Sequence, residues 1–327
     1  MTAPDTGLAE AESKALARQR HLAVGYAYAA LGAALFSSKA IFVKLAYLER
    51  VDASLLLALR MAFALPLFIA IGAYALRLRM SQGLPMPDRR TIGTCIATGF
   101  IGYYVSTLLD FGGLMYISAQ LERLVLFSYP LFVMVLGALY FGGRITMRGV
   151  VAAVITYVGL GAAMAQEGAA GSGGWNTIIG VGLVLSAAFT FAIYQLLAKG
   201  FIEKMGSLLF TAVAMTSSSV ASFIHYGVFG DPAGMTVSHH FLVIAAMLAI
   251  FATVVPSFLI NAGLGRIGPQ ATAMIGTLSP LFTILLAVMI LGEPFTLMNA
   301  VGTTLVLVGI GYYTWADMRA ARLPAET

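Results

Sequence analysis

Leu109-Asp110-Phe111-Gly112-Gly113-Leu114 lies over Leu259-Ile260-Asn261-Ala262-Gly263-Leu264 when the chain is shifted by 150 residues, and two long stretches then align without a gap. The register holds for Ile117 with Ile267, Gln120 with Gln270, and Pro130-Leu131-Phe132 with Pro280-Leu281-Phe282. It continues through Gly142 with Gly292, Thr146 with Thr296, Val151 with Val301, and Val158-Gly159 with Val308-Gly309. Some identities between apolar stretches come free from composition. Matched Pro, Gly and Gln positions in one register do not, so the chain reads as two copies of one unit.

Composition says what solvent that unit needs. Of 327 residues, 60% are hydrophobic and only 10% charged, with a mean hydropathy of +0.90. A soluble domain carries roughly 25% charged and about 45–50% apolar residues. A water-soluble fold of this size would lack the charge to cover its surface, so the bilayer is the expected solvent.

Spanning the hydrocarbon takes about 20 apolar residues in a helix rising about 1.5 Å per residue. The runs that qualify are Ala23–Tyr47, Ser54–Leu76, Thr91–Leu114, Ala119–Phe141 and Arg148–Ala165, then Ile178–Leu197, Ser207–Phe229, Phe241–Leu264, Ala271–Leu291 and Thr296–Trp315. Thr216 to Ser219 dilute the seventh run, but small hydroxyl residues suit close helix packing. The Gly/Ser-rich stretch Gly168–Gly174 falls between the two sets of five. Five is odd, so the second copy enters the membrane from the opposite side. The expected fold is therefore an all-α integral membrane protein of ten transmembrane helices, two inverted five-helix repeats around a central cavity. The expected units are a tail over 1–21, repeats over 22–166 and 176–316, a linker over 167–175 and a tail over 317–327.

Charge places the faces. Lys14, Arg18, Arg20, Arg77, Arg79, Arg89, Arg90, Arg144, Arg148, Lys199, Lys204, Arg266, Arg319 and Arg322 fall on one side of this threading. The other side holds Arg50 with Glu49, Asp52, Glu167, Asp231 and Glu293. By the positive-inside rule, both termini are expected in the cytoplasm, with the chain in a cell inner membrane. The net charge of +5 sits in these loop clusters, which speaks against a nucleic-acid surface. The N-terminus lacks the basic-then-apolar order of a cleaved signal, so the first run is read as a retained span. Cys95 is the one cysteine, leaving no disulfide and no CxxC site.

A few ionisable residues fall within spans: Lys39, Lys44, Arg60, Asp110, Glu122 and Arg123. A charge at the bilayer centre costs on the order of 2.5–3.5 kcal/mol on insertion scales, so such residues should face a cavity or pair. All six lie in the outer half of the first repeat. Their second-copy counterparts are uncharged where Ile260, Thr272 and Ala273 replace Asp110, Glu122 and Arg123. Arg60 and Asp110, at equal depth and of opposite sign, are expected as an ion pair, structural or functional. Lys44 is expected to snorkel to the headgroups. Glu122 and Arg123 either anchor the start of the fourth span or join the cluster. Lys39, the deepest, is assigned to the cavity lining.

Lys39, Arg60 and Arg123 against Asp110 and Glu122 leave one net positive charge, biasing a substrate or gating site toward anionic or zwitterionic groups. A buried carboxylate can also carry a coupling proton. Tyr194, Gln195, Asn261 and Gln270 are polar candidates for the same site, with interhelical hydrogen bonding as the alternative use. Pro130 and Pro280, inside the fourth and ninth spans, remove a backbone donor and mark either packing kinks or hinges. The bilayer and a small-molecule substrate are the expected partners. No cofactor and no metal site is expected; His239-His240 is too short a tract for one.

Several residues together resemble a known family. Pro280-Leu281-Phe282 is followed by Leu291-Gly292-Glu293-Pro294. Phe42-Val43-Lys44 ends the first span, Arg60 lies in the second, and Arg266-Ile267-Gly268 precedes the ninth. On these residues the chain resembles the drug/metabolite transporter superfamily, EamA type, over nearly its whole length. The resemblance implies a permease, in many members an exporter of amino acids or other metabolites, with a central cavity between the repeats. The first copy departs at Gly142-Gly143-Arg144, where the family often has Gly-Glu.

The rival classes find less support. No GxxxxGK[ST] loop serves an ATPase, and no HExxH or GxSxG serves a polytopic membrane enzyme. No carbonyl-filter motif serves an ion channel.

Overall fold

A chain that leaves water must satisfy its backbone N–H and C=O groups within itself, and this one does so as helices. The structure is a computed structural model that describes residues 6–141, 145–167, 174–230, 237–276 and 278–322, without the side chains of 6–15, 141, 269, 270, 273, 274 and 314–322. The Gly142–Arg144 departure, most of the Gly168–Gly174 linker and the Gln270 side chain lie outside the described residues.

Every regular element described is helical. Among the described residues, eight helices are long and apolar enough to cross a bilayer: Leu16–Tyr47, Ala53–Ser81, Arg89–Leu114, Ala119–Tyr140, Met147–Glu167, Trp175–Met205, Ser207–Phe229 and His239–Gly268. They cover the first eight expected runs. The ninth and tenth runs correspond to shorter apolar helices, Ser279–Leu291 and Leu297–Tyr313. The ninth begins at Ser279, after a break at Leu278; Gly268, at φ 80° and ψ 170°, breaks the helix before it in a conformation open to glycine. Pro269 then suits the start of a new turn, where its missing N–H costs nothing.

Several spans are broken. The first is α1 (Thr6–Ser37) and α2 (Lys39–Tyr47), interrupted at Ser38. The second is α3 (Ala53–Ser81), and the third is α4 (Arg89–Gly99) and α5 (Ser106–Leu114) joined by a π-helical turn at Phe100–Val105. The fourth is α6 (Ala119–Leu126) and α7 (Tyr129–Phe141), followed by α8 (Met147–Glu167). Then come α9 (Trp175–Met205), α10 (Ser207–Phe229) and α11 (His239–Ala249). A second π turn at Ile250–Val254 leads into α12 (Val255–Gly276). The chain ends in α13 (Ser279–Leu286), a third π turn at Ala287–Leu291, and α14 (Leu297–Arg322). The starts of α4 and α11, of α7 and α13, and of α8 and α14 are each 150 residues apart.

Pro130 and Pro280 therefore do not kink helix interiors. Each sits in the first turn of a new helix, after a break at Phe127–Ser128 and at Leu278 respectively. The lost N–H is one that a helix start leaves unused in any case.

Glycine lets the helices approach backbone to backbone. A Cβ on Gly159 of α8 would lie 2.8 Å from the Gly302 carbonyl oxygen of α14, and one on Gly309 would lie 2.8 Å from the Ala152 oxygen. The contacts run in opposite order along the two chains, so α8 and α14 are antiparallel. The same reasoning pairs α1 with α12: a Cβ on Gly32 would lie 2.8 Å from Ile260, and one on Gly25 would lie 2.6 Å from Ile267. It pairs α5 with α9, where Ser106 Oγ donates to the Ala187 carbonyl (3.0 Å) and a Cβ on Gly180 would lie 3.2 Å from the Gly113 oxygen. Such small-residue seams let helices associate where the solvent is as apolar as the side chains. Side chains such as Leu139, Val154, Ile224 and Val308 stay exposed, as a lipid-facing surface requires.

Candidate functional site

The breaks converge. Ser38 interrupts the α1–α2 rod, so the last carbonyls of α1 lose their helical donors and need others. Arg123 on α6 supplies one, its Nη2 donating to the Phe36 carbonyl at 2.9 Å. Thr283 on α13 supplies the next, its hydroxyl donating to the Ser37 carbonyl at 2.9 Å while accepting from Arg123 Nε at 2.9 Å. Ser37 and Ser279 hydroxyls meet at 2.8 Å. The Arg123 guanidinium also lies 5.3 Å from the Phe36 ring. Arg123 thus ties the two halves of the chain together at a helix break.

Lys39 opens α2 beside this knot. Its ammonium forms an ion pair with Asp110 Oδ2 of α5, and Glu122 Oε1 of α6 lies 3.4 Å from the same nitrogen. All three are at least nine-tenths buried. Asp110 Oδ1 and both Glu122 oxygens have no hydrogen-bond partner, so one ammonium serves two buried carboxyls.

The expected Arg60–Asp110 pair is not formed. Arg60 on α3 is 3% exposed and lays its guanidinium 5.0 Å from the centre of the Phe111 ring. Depth along a helix was readable; the angle around it was not. Lys44 is half-buried.

Beside the cluster is a cavity of about 360 Å³. Lys39, Arg60, Asp110, Arg123, Pro130, Tyr194, Gln195 and Asn261 line it; Glu122 stands behind Lys39, and Pro280 is buried off the wall. The lining extends to Lys199, whose side chain is 61% exposed.

The far wall is aromatic. Tyr103 and Tyr194 hydroxyls meet at 2.9 Å, and Asn261 Nδ2 donates to Thr211 Oγ1 at 2.7 Å with its Oδ1 3.4 Å from the Tyr194 hydroxyl. Phe191 stacks on Tyr194 at 5.5 Å, and Tyr129 stands edge-on to Phe191. Sequence reasoning missed Tyr103, Tyr129, Phe191 and Thr283, because one more aromatic or hydroxyl in an apolar helix carries no signal. The π turns at Phe100–Val105 and Ile250–Val254 contribute Tyr103 and Thr253 to the wall. Such turns recur at functional sites because they re-aim side chains.

A second cluster closes one end of the bundle. Glu167 accepts from the Ser118 backbone N–H (2.6 Å) and hydroxyl (2.7 Å). Glu293 accepts from the N–H groups of Ala119 (2.8 Å) and Gln120 (3.2 Å). Two carboxylates thus clasp the start of α6, where unpaired N–H groups and the helix dipole favour negative charge. At the same end Glu49 accepts from Ser238 at 3.0 Å and adjoins His240 at 3.1 Å. The His240 bond, with that of Ser238 second, holds the Glu49 carboxyl below the usual carboxylate range. This tie is present above that range and lost as pH falls through the lowered value. At the other end Arg79 donates to the Lys204 carbonyl at 3.0 Å.

Comparison with known proteins fits this architecture. The EamA-like transporter family matches residues 23–164 and again 178–315. The uncharacterized transporter YcbK of Bacillus subtilis (strain 168) is 29% identical over 310 residues, covering 90% of this chain and 94% of the relative. An uncharacterized transporter of Archaeoglobus fulgidus is 26% identical over 236 residues, covering 65% and 74%. A crystal structure at 18% identity superposes with a TM-score of 0.60 over 94% of this chain and 99% of that one, which bears on the fold alone.

Proposed function

This chain belongs to the EamA-like transporter family, a family of multi-pass membrane proteins, and from that membership we propose that it is a secondary carrier working by alternating access. Ten spans form two inverted repeats, over 22–166 and 176–316, around the central cavity. Support comes from the helix starts recurring at 150 residues and from the family match occurring twice. It comes also from the pairing. Exchanging the copies turns the α1–α12 seam into the α9–α5 seam and maps α8–α14 onto itself, as a two-fold axis in the membrane plane requires. Both termini are cytoplasmic, in a cell inner membrane, and the carried species is a small anionic or zwitterionic metabolite moved outward.

One observation carries the reading: a cavity walled by both halves, at the helix breaks, with buried charge at one end and an aromatic wall at the other. A coupling proton would reside on the adjoining Asp110 and Glu122 carboxyls, where the oxygens lack partners. The test is flux into proteoliposomes. Saturable uptake of a small organic acid or amino acid is expected, falling at least about tenfold in Asp110→Asn and Lys39→Ala proteins, since about 1.4 kcal/mol is tenfold in a rate. Wild-type rates in both variants would remove the cluster from the mechanism. Unsaturable flux at channel rates would favour a channel.

The Glu167–Glu293 clasp is the outer latch. Its counterparts 150 residues away are Gly268 for Ser118, Pro269 for Ala119 and Gly143 for Glu293. The Ser118 hydroxyl, the Ala119 N–H and the Glu293 carboxylate have no counterpart there, although Asp317 stands where Glu167 does, so the same set of bonds cannot form at the inner end. A charge-assisted bond contributes about 1.5–3 kcal/mol, so Glu293→Gln should raise the outward-open population on the order of tenfold. In a Cys95→Ser, Thr107→Cys background, an impermeant maleimide added outside should then label the cavity faster. Equal labelling would mean that this clasp does not hold the outer end.

A further inference from the structure

The five buried charges are not equivalent once their partners are counted. Lys39 is engaged by Asp110 and Glu122, and Arg123 by the Phe36 carbonyl and Thr283. Arg60 remains. It lines the cavity and is 3% exposed, and its Nε has no hydrogen-bond partner. Among the described residues, no hydrogen bond or ion pair reaches its guanidinium; it lies against the Phe111 ring face, and the Asp110 charge acts on it from beyond ion-pair distance. A guanidinium left in this condition is costly, because a ring face and a carboxylate beyond bonding distance return only part of the hydration it loses. Its donors form a planar fork that matches a carboxylate with two parallel bonds.

We propose that Arg60 is the anchor for the substrate's anionic group, and that the substrate is an organic monocarboxylate with an apolar, ring-sized body. This rests on the carrier reading above and narrows it. Charge supports an anion: with both carboxyls ionised, Lys39, Arg60 and Arg123 against Asp110 and Glu122 leave one positive charge, which one carboxylate cancels. Phe191, Tyr194 and Tyr129 supply the aromatic wall. Scale agrees. Tyr103 precedes Asp110 by seven residues on one span, about 10 Å of helix axis, which a phenyl ring on a short aliphatic acid bridges.

The proposal separates Arg60 from its neighbours by sign. Removing a charge that has no partner should not destabilise the ligand-free protein, whereas removing one that is paired should.

Purified full-length protein is melted with 3-phenylpropionate, 3-phenylpropan-1-amine or 3-phenylpropan-1-ol, three probes sharing one body. The carboxylate is expected to raise the wild-type Tm by a few degrees, and the amine and alcohol to leave it unchanged. Ligand-free Arg60→Met should melt at or above the wild-type Tm yet lose the response to 3-phenylpropionate. Arg60→Lys should keep the charge and weaken the response, and ligand-free Arg123→Met should melt lower than wild type.

The proposal is overturned if Arg60→Met keeps the response or is destabilised as Arg123→Met is. A response to the amine or alcohol equal to that of the acid, or none to the acid in wild type, also overturns it. Saturable proteoliposome flux of a cationic solute alongside those results would leave the carrier reading standing. An Arg60-dependent response without saturable flux of any probe would sink the carrier reading instead.

Discussion

Lys39→Met should be the most damaging single change in the charged cluster, lowering the stability of the purified protein by about 3–5 kcal/mol and abolishing flux. The figure is that for removing one partner of a buried ion pair, where the cost is mainly the charge left behind. Here two carboxyls are left, since Asp110 and Glu122 share the one ammonium. Arg123 is not free to take its place, being held by Phe36 and Thr283 across the α1 break. Methionine keeps the side-chain length, so packing loss is small and the result reads charge. A double-mutant cycle with Asp110→Asn makes the test specific. The double variant should be less destabilised than the sum of the two single changes, because the second removes a carboxylate the first orphaned. Simple additivity, or a Lys39→Met protein that melts like wild type, would show that the ammonium is not holding the carboxyls.

Gly159→Leu should rank next, costing about 3 kcal/mol, at the upper end of the overpacking range. A Cβ there would lie 2.6 Å from Leu305 Cβ, 2.8 Å from the Gly302 oxygen and 2.9 Å from the Val306 nitrogen. Two of these three atoms are backbone, and a side-chain rotation cannot relieve them. The α8–α14 seam would have to part, and with it the helix ends that carry Glu167 and Glu293. A large fall in Tm and in the yield of monodisperse protein is expected. Gly161, two residues along the same helix, is the control, because a Cβ there meets nothing within 4 Å. Gly161→Leu should therefore be close to neutral, and comparable losses in the two variants would refute close backbone packing as the reason for glycine at 159.

Particular residues show how far the sequence could be read. The matched Val158-Gly159 and Val308-Gly309 pointed to a repeat, yet nothing in one dimension said that Gly159 faces Gly302. The position of Asp110 in its span was legible; its partner was expected to be Arg60 and is Lys39, since helix azimuth depends on packing. Pro130 was read as a kink inside a helix, while the helix ends before it. Gln195 and Asn261, polar candidates for a substrate site, line the cavity, and Tyr103 was invisible until the π turn of its helix was known. Glu293 looked like a loop residue in a family motif; its oxygens cap α6.

Hydropathy by itself determined that this chain is a helical membrane protein, and an internal register pointed to two copies of one unit. Those properties depend on transfer to lipid and on counting, which are local or additive along the chain. The tertiary structure alone decided which buried charge is satisfied, which helices break and what their loose ends bind. Each of those outcomes is a competition among groups far apart in sequence for one donor or acceptor in a medium without water, and it is resolved only when all of them are in place.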